Sequence, residues 1–254
     1  MPTLSVNGIP INYTLTGAGP YTLCLVHGSG GSAGVWIRQL EGLADSARVI
    51  ALDLPGHGES GGQGSREIEP YAAIVRGFIE GMKLSKVILG GHSMGGAVAQ
   101  AVALTHPELL AGLVLVGTGT RLRVLPKIFE LLERDYPEGV RFVISLAVSP
   151  GAPPELVESL ARQTLRTPQA VLVGDLRACD RFDVMARTGE MRLPTLIICG
   201  SEDRLTPPKY ARYFRERIAR SRLALIPEAG HYVQLERPEA TTAAISEFLA
   251  SPPS

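Results

Sequence analysis

Hydrophobic positions in this chain fall into short, nearly continuous runs, each followed by turn residues and then a stretch of helical periodicity. "YTLCLV" (21–26), "ARVIALD" (47–53), "KVILGG" (86–91), "AGLVLVG" (111–117), "PTLIICG" (194–200) and "RLALIP" (222–227) are apolar through their middles and too short for helices. Such runs predict strands buried on both faces, as in a parallel sheet covered by helices. Between two of them, Tyr71, Ile74, Val75, Phe78, Ile79 and Met82 fall at the i, i+3, i+4, i+7, i+8, i+11 positions of one helix face. "PEATTAAISEFLA" predicts a helix near the end. At the start, "TLSV" and "PINYTLTG" are separated by Asn7-Gly8, a strong hairpin signal. An antiparallel hairpin leading into an α/β body follows.

The rhythm breaks between about Thr118 and Arg192. "PKIFELLERDYP", "PPELVESLARQ" and "TPQAVLVGDLRACD" read as helices, with Pro near their starts and Thr167 a candidate N-cap. The expectation is an α/β fold with a mostly parallel central sheet and helices on both faces. Residues 1–117 and 193–254 form its core, and residues 118–192 form a helical cap inserted between two strands. There is no internal repeat and no low-complexity stretch.

Composition narrows the partners. A length of 254 residues suits one large domain or a domain with an insertion, and 45 % hydrophobic residues allow a sizeable core. Lys+Arg and Asp+Glu number 25 each, so nothing steers the chain toward nucleic acid or an anionic membrane. The N-terminus lacks a basic segment followed by an apolar one, and runs such as "LLAGLVLVG" are far short of a membrane span. A soluble, cytoplasmic protein is expected. Cys24 and Cys199 fall in strand-like runs as small buried hydrophobes, and with Cys179 the set is odd, so no disulfide is expected. No cofactor and no metal are called for. The oligomeric state is not legible.

The chemistry centres on "GHSMG" (91–95), a G-x-S-x-G pattern between a strand and a helix of small residues. Gly91 and Gly95 remove side chains that would clash in a tight turn, and the helix behind Ser93 aims N–H groups where an oxyanion would form. The competing reading is a glycine-rich turn with an incidental serine. A serine hydroxyl needs a base in reach and a carboxylate to orient that base. Of five histidines, His92 adjoins Ser93 and should point elsewhere. His106 sits at a helix end, and His27 and His57 lie in glycine-rich loops that their rings would hydrogen-bond. His231, after the last strand, leaves the same sheet edge as Ser93, though a structural histidine is the alternative there. Asp203 follows the strand 195–199, with Glu202 a weaker candidate. Asp53 ends a strand in an earlier glycine-rich turn. Ser93, Asp203 and His231 are the only arrangement in that order with all three at strand C-terminal ends.

Taken together, "LVHGSGGS" (25–32), "LDLPGHGES" (52–60), "GGHSMGG" (90–96), "LIICGSEDRLTP" (196–207) and "EAGHYVQLERP" (228–238) resemble the α/β-hydrolase family over nearly the whole chain. The resemblance implies Ser93 as nucleophile, His231 as general base and acid, and Asp203 as its orienting partner. It also implies an oxyanion hole from the backbone N–H groups of Ser29 and Met94. The chain lacks "HGGG", which weakens the case for tertiary-alcohol esters, and a serine at 93 argues against the dehalogenase and epoxide hydrolase branches. The expected function is a serine hydrolase, of carboxylesterase type, cleaving a small to medium carboxylic ester through an acyl-enzyme. The same triad serves lactonases and C–C bond hydrolases. A non-catalytic small-molecule receptor is a further alternative. So is a nucleotide-binding protein, because "GSGGSA" (28–33) with Asp53 some 20 residues on fits the dinucleotide fingerprint.

The expected cap carries Leu122, Leu125, Ile128, Phe129, Leu131, Leu132, Val140, Phe142, Ile144 and Leu146. These residues either pack on the body or line an acyl pocket above Ser93. With no evident acid or base cluster in the cap, uncharged esters with short to medium acyl chains are the expected substrates.

Overall fold

Asn7 and Gly8 both take positive φ, 52° and 81°, as a two-residue hairpin turn requires. In the computed structural model, which describes residues 2–251, they join β1 (Thr3–Val6) to β2 (Ile9–Thr16) with Val6 opposite Ile9. The chain continues through β3 (Thr22–Val26), a 3₁₀ turn (Ala33–Trp36), α1 (Ile37–Gly42), β4 (Arg48–Leu52), α2 (Ile68–Gly81), β5 (Val87–His92), α3 (Met94–Thr105) and β6 (Leu110–Val116). Four helices then follow without a strand: α4 (Pro126–Arg134), α5 (Tyr136–Ala147), α6 (Pro154–Thr164) and α7 (Gln169–Arg181). β7 (Thr195–Gly200), α8 (Pro208–Arg217), β8 (Ser221–Ile226), α9 (Val233–Glu236) and α10 (Pro238–Ala250) complete the described residues.

The sheet order is β1-β2-β4-β3-β5-β6-β7-β8, antiparallel through β2–β4 and parallel from β4 to β8. Each apolar run expected to be a strand is one, within a residue or two at its ends. Successive side chains of a strand point to opposite faces, and here both faces are covered. Cys24 and Val26 of β3 and Ile50 and Leu52 of β4 pack with Tyr71, Phe78 and Val98 of α2 and α3. Leu23, Leu25, Val49 and Ala51 pack with Trp36, Leu40, Ile245 and Phe248 on the other side. All three cysteines are free and buried, and burial pushes each thiol up to about 12. Among the described residues no helix is long and apolar enough to cross a membrane.

The segment 118–192 differs from expectation in two places. The "PKIFELLERDYP" helix stops at Asp135, whose carboxylate accepts from Glu138 N and so caps a further helix, α5. Its Val140, Phe142, Ile144 and Leu146 are therefore helical. Thr167 is not an N-cap. Pro168 holds that position without a side-chain bond, and the Thr167 hydroxyl donates to the Gly30 carbonyl at 3.1 Å.

Candidate active site

Between β5 and α3 the backbone of Ser93 takes φ 53° and ψ −117°, a conformation costly for a residue with a side chain. Glycines make the turn possible. A Cβ on Gly91 would overlap the Gly95 carbonyl, and one on Gly95 would overlap the carbonyl of Val26. Hydrogen bonds hold the turn from both sides. Ser93 N donates to Val116 O at 2.9 Å, while Ser93 O accepts from Gly96 N at 2.9 Å and from Thr118 Oγ1 at 2.8 Å.

His231 and Asp203 meet from two other loops at the same sheet edge. His231 Nδ1 lies 2.9 Å from Asp203 Oδ2. Thr206 Oγ1 donates to that oxygen at 2.7 Å, and the N–H groups of Leu205 and Thr206 donate to Oδ1 at 2.9 and 2.8 Å. A carboxylate so surrounded by donors places the imidazole proton on Nδ1 and leaves Nε2 as the basic nitrogen. Burial alone would push the Asp203 carboxyl up. The charge and hydrogen bond of His231, with the bonds from Thr206, hold it below the ordinary carboxylate value instead. The side chain of Glu202 is exposed and takes no part.

The His231 loop is anchored from behind. His231 N donates to Ala147 O at the end of α5 at 2.6 Å. Glu236 Oε2 accepts from Gly230 N at 3.0 Å and from Ser149 N at 2.8 Å. His92, expected to point away, packs its ring 4.7 Å from that of His231 and donates through Nε2 to the His231 carbonyl at 3.0 Å. Burial, and then the neighbouring His231, lower its pKa to about 3, so it is a neutral strut.

Ser29 lies beside the serine turn. A Cβ on Gly28 would stand 3.0 Å from that of Ser93, and the Ser29 hydroxyl donates to the Met94 sulfur at 3.7 Å. Met94 is the first residue of α3, where a backbone N–H has no partner in a preceding turn. His27 behaves as expected. Its Nε2 accepts from Leu54 N at 3.0 Å and its Nδ1 donates to Gly28 O at 2.8 Å. Burial lowers its pKa to about 4. His106 sits at the surface beside Arg76 and Glu108.

His57 does more than bond its own loop. Its Nδ1 faces Pro55 O at 3.1 Å and its Nε2 faces Asp175 Oδ2 at 2.8 Å. Burial works against its charge, but Asp175 holds the pKa above the ordinary value. Asp175 went unnoticed in the sequence although a signal was present. Leu172, Asp175, Leu176 and Cys179 share one buried face of α7, and an acid on such a face must have partners.

The dinucleotide fingerprint is accounted for otherwise. Asp53 is buried, its Oδ1 accepts from Ala33 N at 2.6 Å, and its Oδ2 accepts from Asn12 Nδ2 at 2.7 Å and Glu59 N at 3.0 Å, so both oxygens are engaged within the fold. Among the described residues no group of three or more His, Cys, Asp or Glu could hold a metal ion.

Ser29, Ser93 and His231 open into one cavity of about 310 Å³. From the insertion, Leu122, Leu125 and Ile128 line it, joined by Val143 and Leu176. Leu131, Leu132, Val140 and Ile144 are buried and pack elsewhere. The charge of the wall departs from expectation. Arg123, Arg204 and Lys209 reach the lining, Arg204 from the loop after β7 and Lys209 from the first turn of α8, and no Asp or Glu does.

A model of the α/β hydrolase fold family matches residues 21–238. The chain belongs to that family. It is 31 % identical to a 2-hydroxy-6-oxononadienedioate/2-hydroxy-6-oxononatrienedioate hydrolase of Pseudomonas putida, over 94 % of this chain and 91 % of the relative. It is 30 % identical to a dihydrolipoyllysine-residue acetyltransferase component of an acetoin cleaving system from the same organism, over 93 % of this chain, but it spans only 65 % of that longer protein. Among solved structures, a thermophilic esterase superposes with a TM-score of 0.87 at 36 % identity, covering 98 % of this chain and 96 % of the other.

Proposed function

We propose that this hydrolase is a serine esterase acting on small to medium carboxylic esters through an acyl-enzyme. The observation that carries the reading is the convergence of a strained serine turn with a carboxylate-bound histidine in one apolar cavity. Ser93 Oγ attacks the acyl carbonyl while His231 Nε2 takes its proton. The N–H groups of Ser29 and Met94 hold the oxyanion, and the alcohol leaves with the proton from His231. Water, deprotonated by His231, then attacks the acyl-enzyme and releases the acid and Ser93. Asp203 keeps the imidazole in the tautomer that the first step needs. The insertion 118–192 serves as a cap whose apolar residues bound the acyl chain.

Lactones and carbon–carbon bonds next to a carbonyl are the second reading, favoured by the likeness to the dienedioate hydrolase. An activity panel separates the two. Turnover of p-nitrophenyl butyrate, lost in Ser93→Ala, supports the esterase. Turnover confined to a lactone or a C–C hydrolase substrate overturns it.

A further inference from the structure

Three side chains of the insertion reach the loop that follows β3. Asp175 Oδ2 accepts from Gly30 N at 2.9 Å, Thr167 Oγ1 donates to Gly30 O at 3.1 Å, and Gln163 Nε2 donates to Ser32 Oγ at 2.6 Å. Asp175 is fully buried. Its other oxygen accepts from the Tyr71 hydroxyl at 2.5 Å, and that hydroxyl in turn accepts from Ser65 N at 2.8 Å. With His57 Nε2 on Oδ2 as well, one carboxylate of α7 ties together the loop after β3, the loop after β4 and helix α2.

Peptide planarity turns this into a statement about Ser29. The N–H of Ser29 and the carbonyl of Gly28 belong to one rigid plane and point in opposite directions. Gly31 N at 3.1 Å and His27 Nδ1 at 2.8 Å fix that carbonyl from the core side. The next plane, carrying Gly30 N–H, is fixed by Asp175 from the insertion. Gly30 itself has φ +64°, and its space is bounded by Leu172 and Thr164, again from the insertion. The plane carrying the Ser29 N–H is thus held by the core, and the planes that follow it, which keep Ser29 from rotating, are held by the helices above.

We propose that Asp175 and Thr167 are positioning residues for the oxyanion hole, so that the insertion completes the site's electrostatics as well as enclosing substrate. The inference rests on the serine esterase reading and on Ser29 as an oxyanion donor. A fastening with no catalytic consequence would affect stability alone. A positioning clamp affects the transition state more than substrate binding.

The test compares the full-length wild type with Asp175→Ala, Asp175→Asn and Thr167→Val. The probes are p-nitrophenyl butyrate and phenylboronic acid, which forms a tetrahedral adduct on an active serine and so reports on the oxyanion hole. The expected result for Asp175→Ala is a fall in kcat of about 10- to 100-fold with KM changed by no more than about twofold. The inhibition constant of the boronate should rise in step. Thr167→Val should show the same pattern at about threefold to tenfold, and Asp175→Asn, which keeps an oxygen for Gly30 N, should lie between. Thr167→Val replaces one hydroxyl by an isosteric methyl, so it carries the test if the Asp175 variants do not fold. Variants with unchanged kcat and boronate affinity, or with losses confined to KM, overturn the clamp. A wild type that neither turns over the ester nor binds the boronate overturns the esterase reading and the clamp with it. An active wild type beside variants that match it overturns the clamp alone.

Discussion

Glu236 accepts a hydrogen bond from the N–H of Gly230, the residue before His231, at 3.0 Å. The same oxygen accepts from Ser149 N just past α5, so one buried carboxylate joins the His231 loop to the insertion. Glu236→Leu removes the acceptor and leaves two N–H groups without a partner. Each such loss costs about 1–3 kcal/mol, so the variant should be about 2–6 kcal/mol less stable in urea denaturation. A change within about 0.5 kcal/mol would show that water replaces the carboxylate freely.

Ser93→Ala and His231→Ala should each lower kcat by about 10⁴ or more, and the double variant should be scarcely worse, because the groups act as a unit. Multiplicative losses would remove one of the two from the mechanism. Covalent labelling by an organophosphonate should fall on Ser93.

Asp203→Asn should fold and yet lose about 10⁴ in rate, since an amide facing Nδ1 favours the wrong imidazole tautomer. Glu202→Gln should be close to wild type. Steady-state assays giving the reverse order would reassign the acid.

Substrate selection should follow the wall of the cavity. Along a p-nitrophenyl series from acetate to palmitate, kcat/KM should rise by up to about 0.8 kcal/mol per methylene and then fall when the space of about 310 Å³ is full. Arg123, Arg204 and Lys209 line the cavity without a carboxylate. Acyl chains ending in a neutral group or a carboxylate should therefore be accepted over the trimethylammonium analogue of equal length. A preference for the cationic ester would refute this account of the wall.

The His57–Asp175 pair makes stability depend on pH in a definite direction. His57 has a folded pKa above its ordinary 6.5, so its contribution is fully present below 6.5 and is lost as pH rises through the folded value. Glutamine does not titrate. The stability gap between wild type and His57→Gln, read from urea midpoints at pH 5–9, should be widest at the acid end and close toward the alkaline end. A gap that widens with rising pH would mean that His57 is neutral in the fold.

The strands were legible because burial on both faces forces unbroken apolar runs, and the serine turn because Gly91, Ser93 and Gly95 sit at fixed spacing. His231 and Asp203 were legible from their places after β8 and β7. What stayed hidden were partners joined only by the fold. Asp175 meets Gly30, and Glu236 meets Gly230, through contacts that no periodicity records. The helix α5 was missed because Asp135 reads equally as the end of one helix and the cap of the next. Thr167 has the chemistry of a cap, but the nearby Gly30 carbonyl claims its hydroxyl.

The strand order also bears on how the molecule is made. Ser93 sits at the end of β5 in the middle of the sheet, whereas His231 follows β8 at the sheet's far edge. During synthesis the serine turn and its flanking strands emerge long before the histidine that would activate it, and chains fold progressively from the N-terminal side. A ribosome-bound fragment ending before β8 therefore displays the serine without its base. On the proposed mechanism the hydroxyl gains its base only when the edge strand docks, so labelling of Ser93 by an organophosphonate would report late, on completed folding.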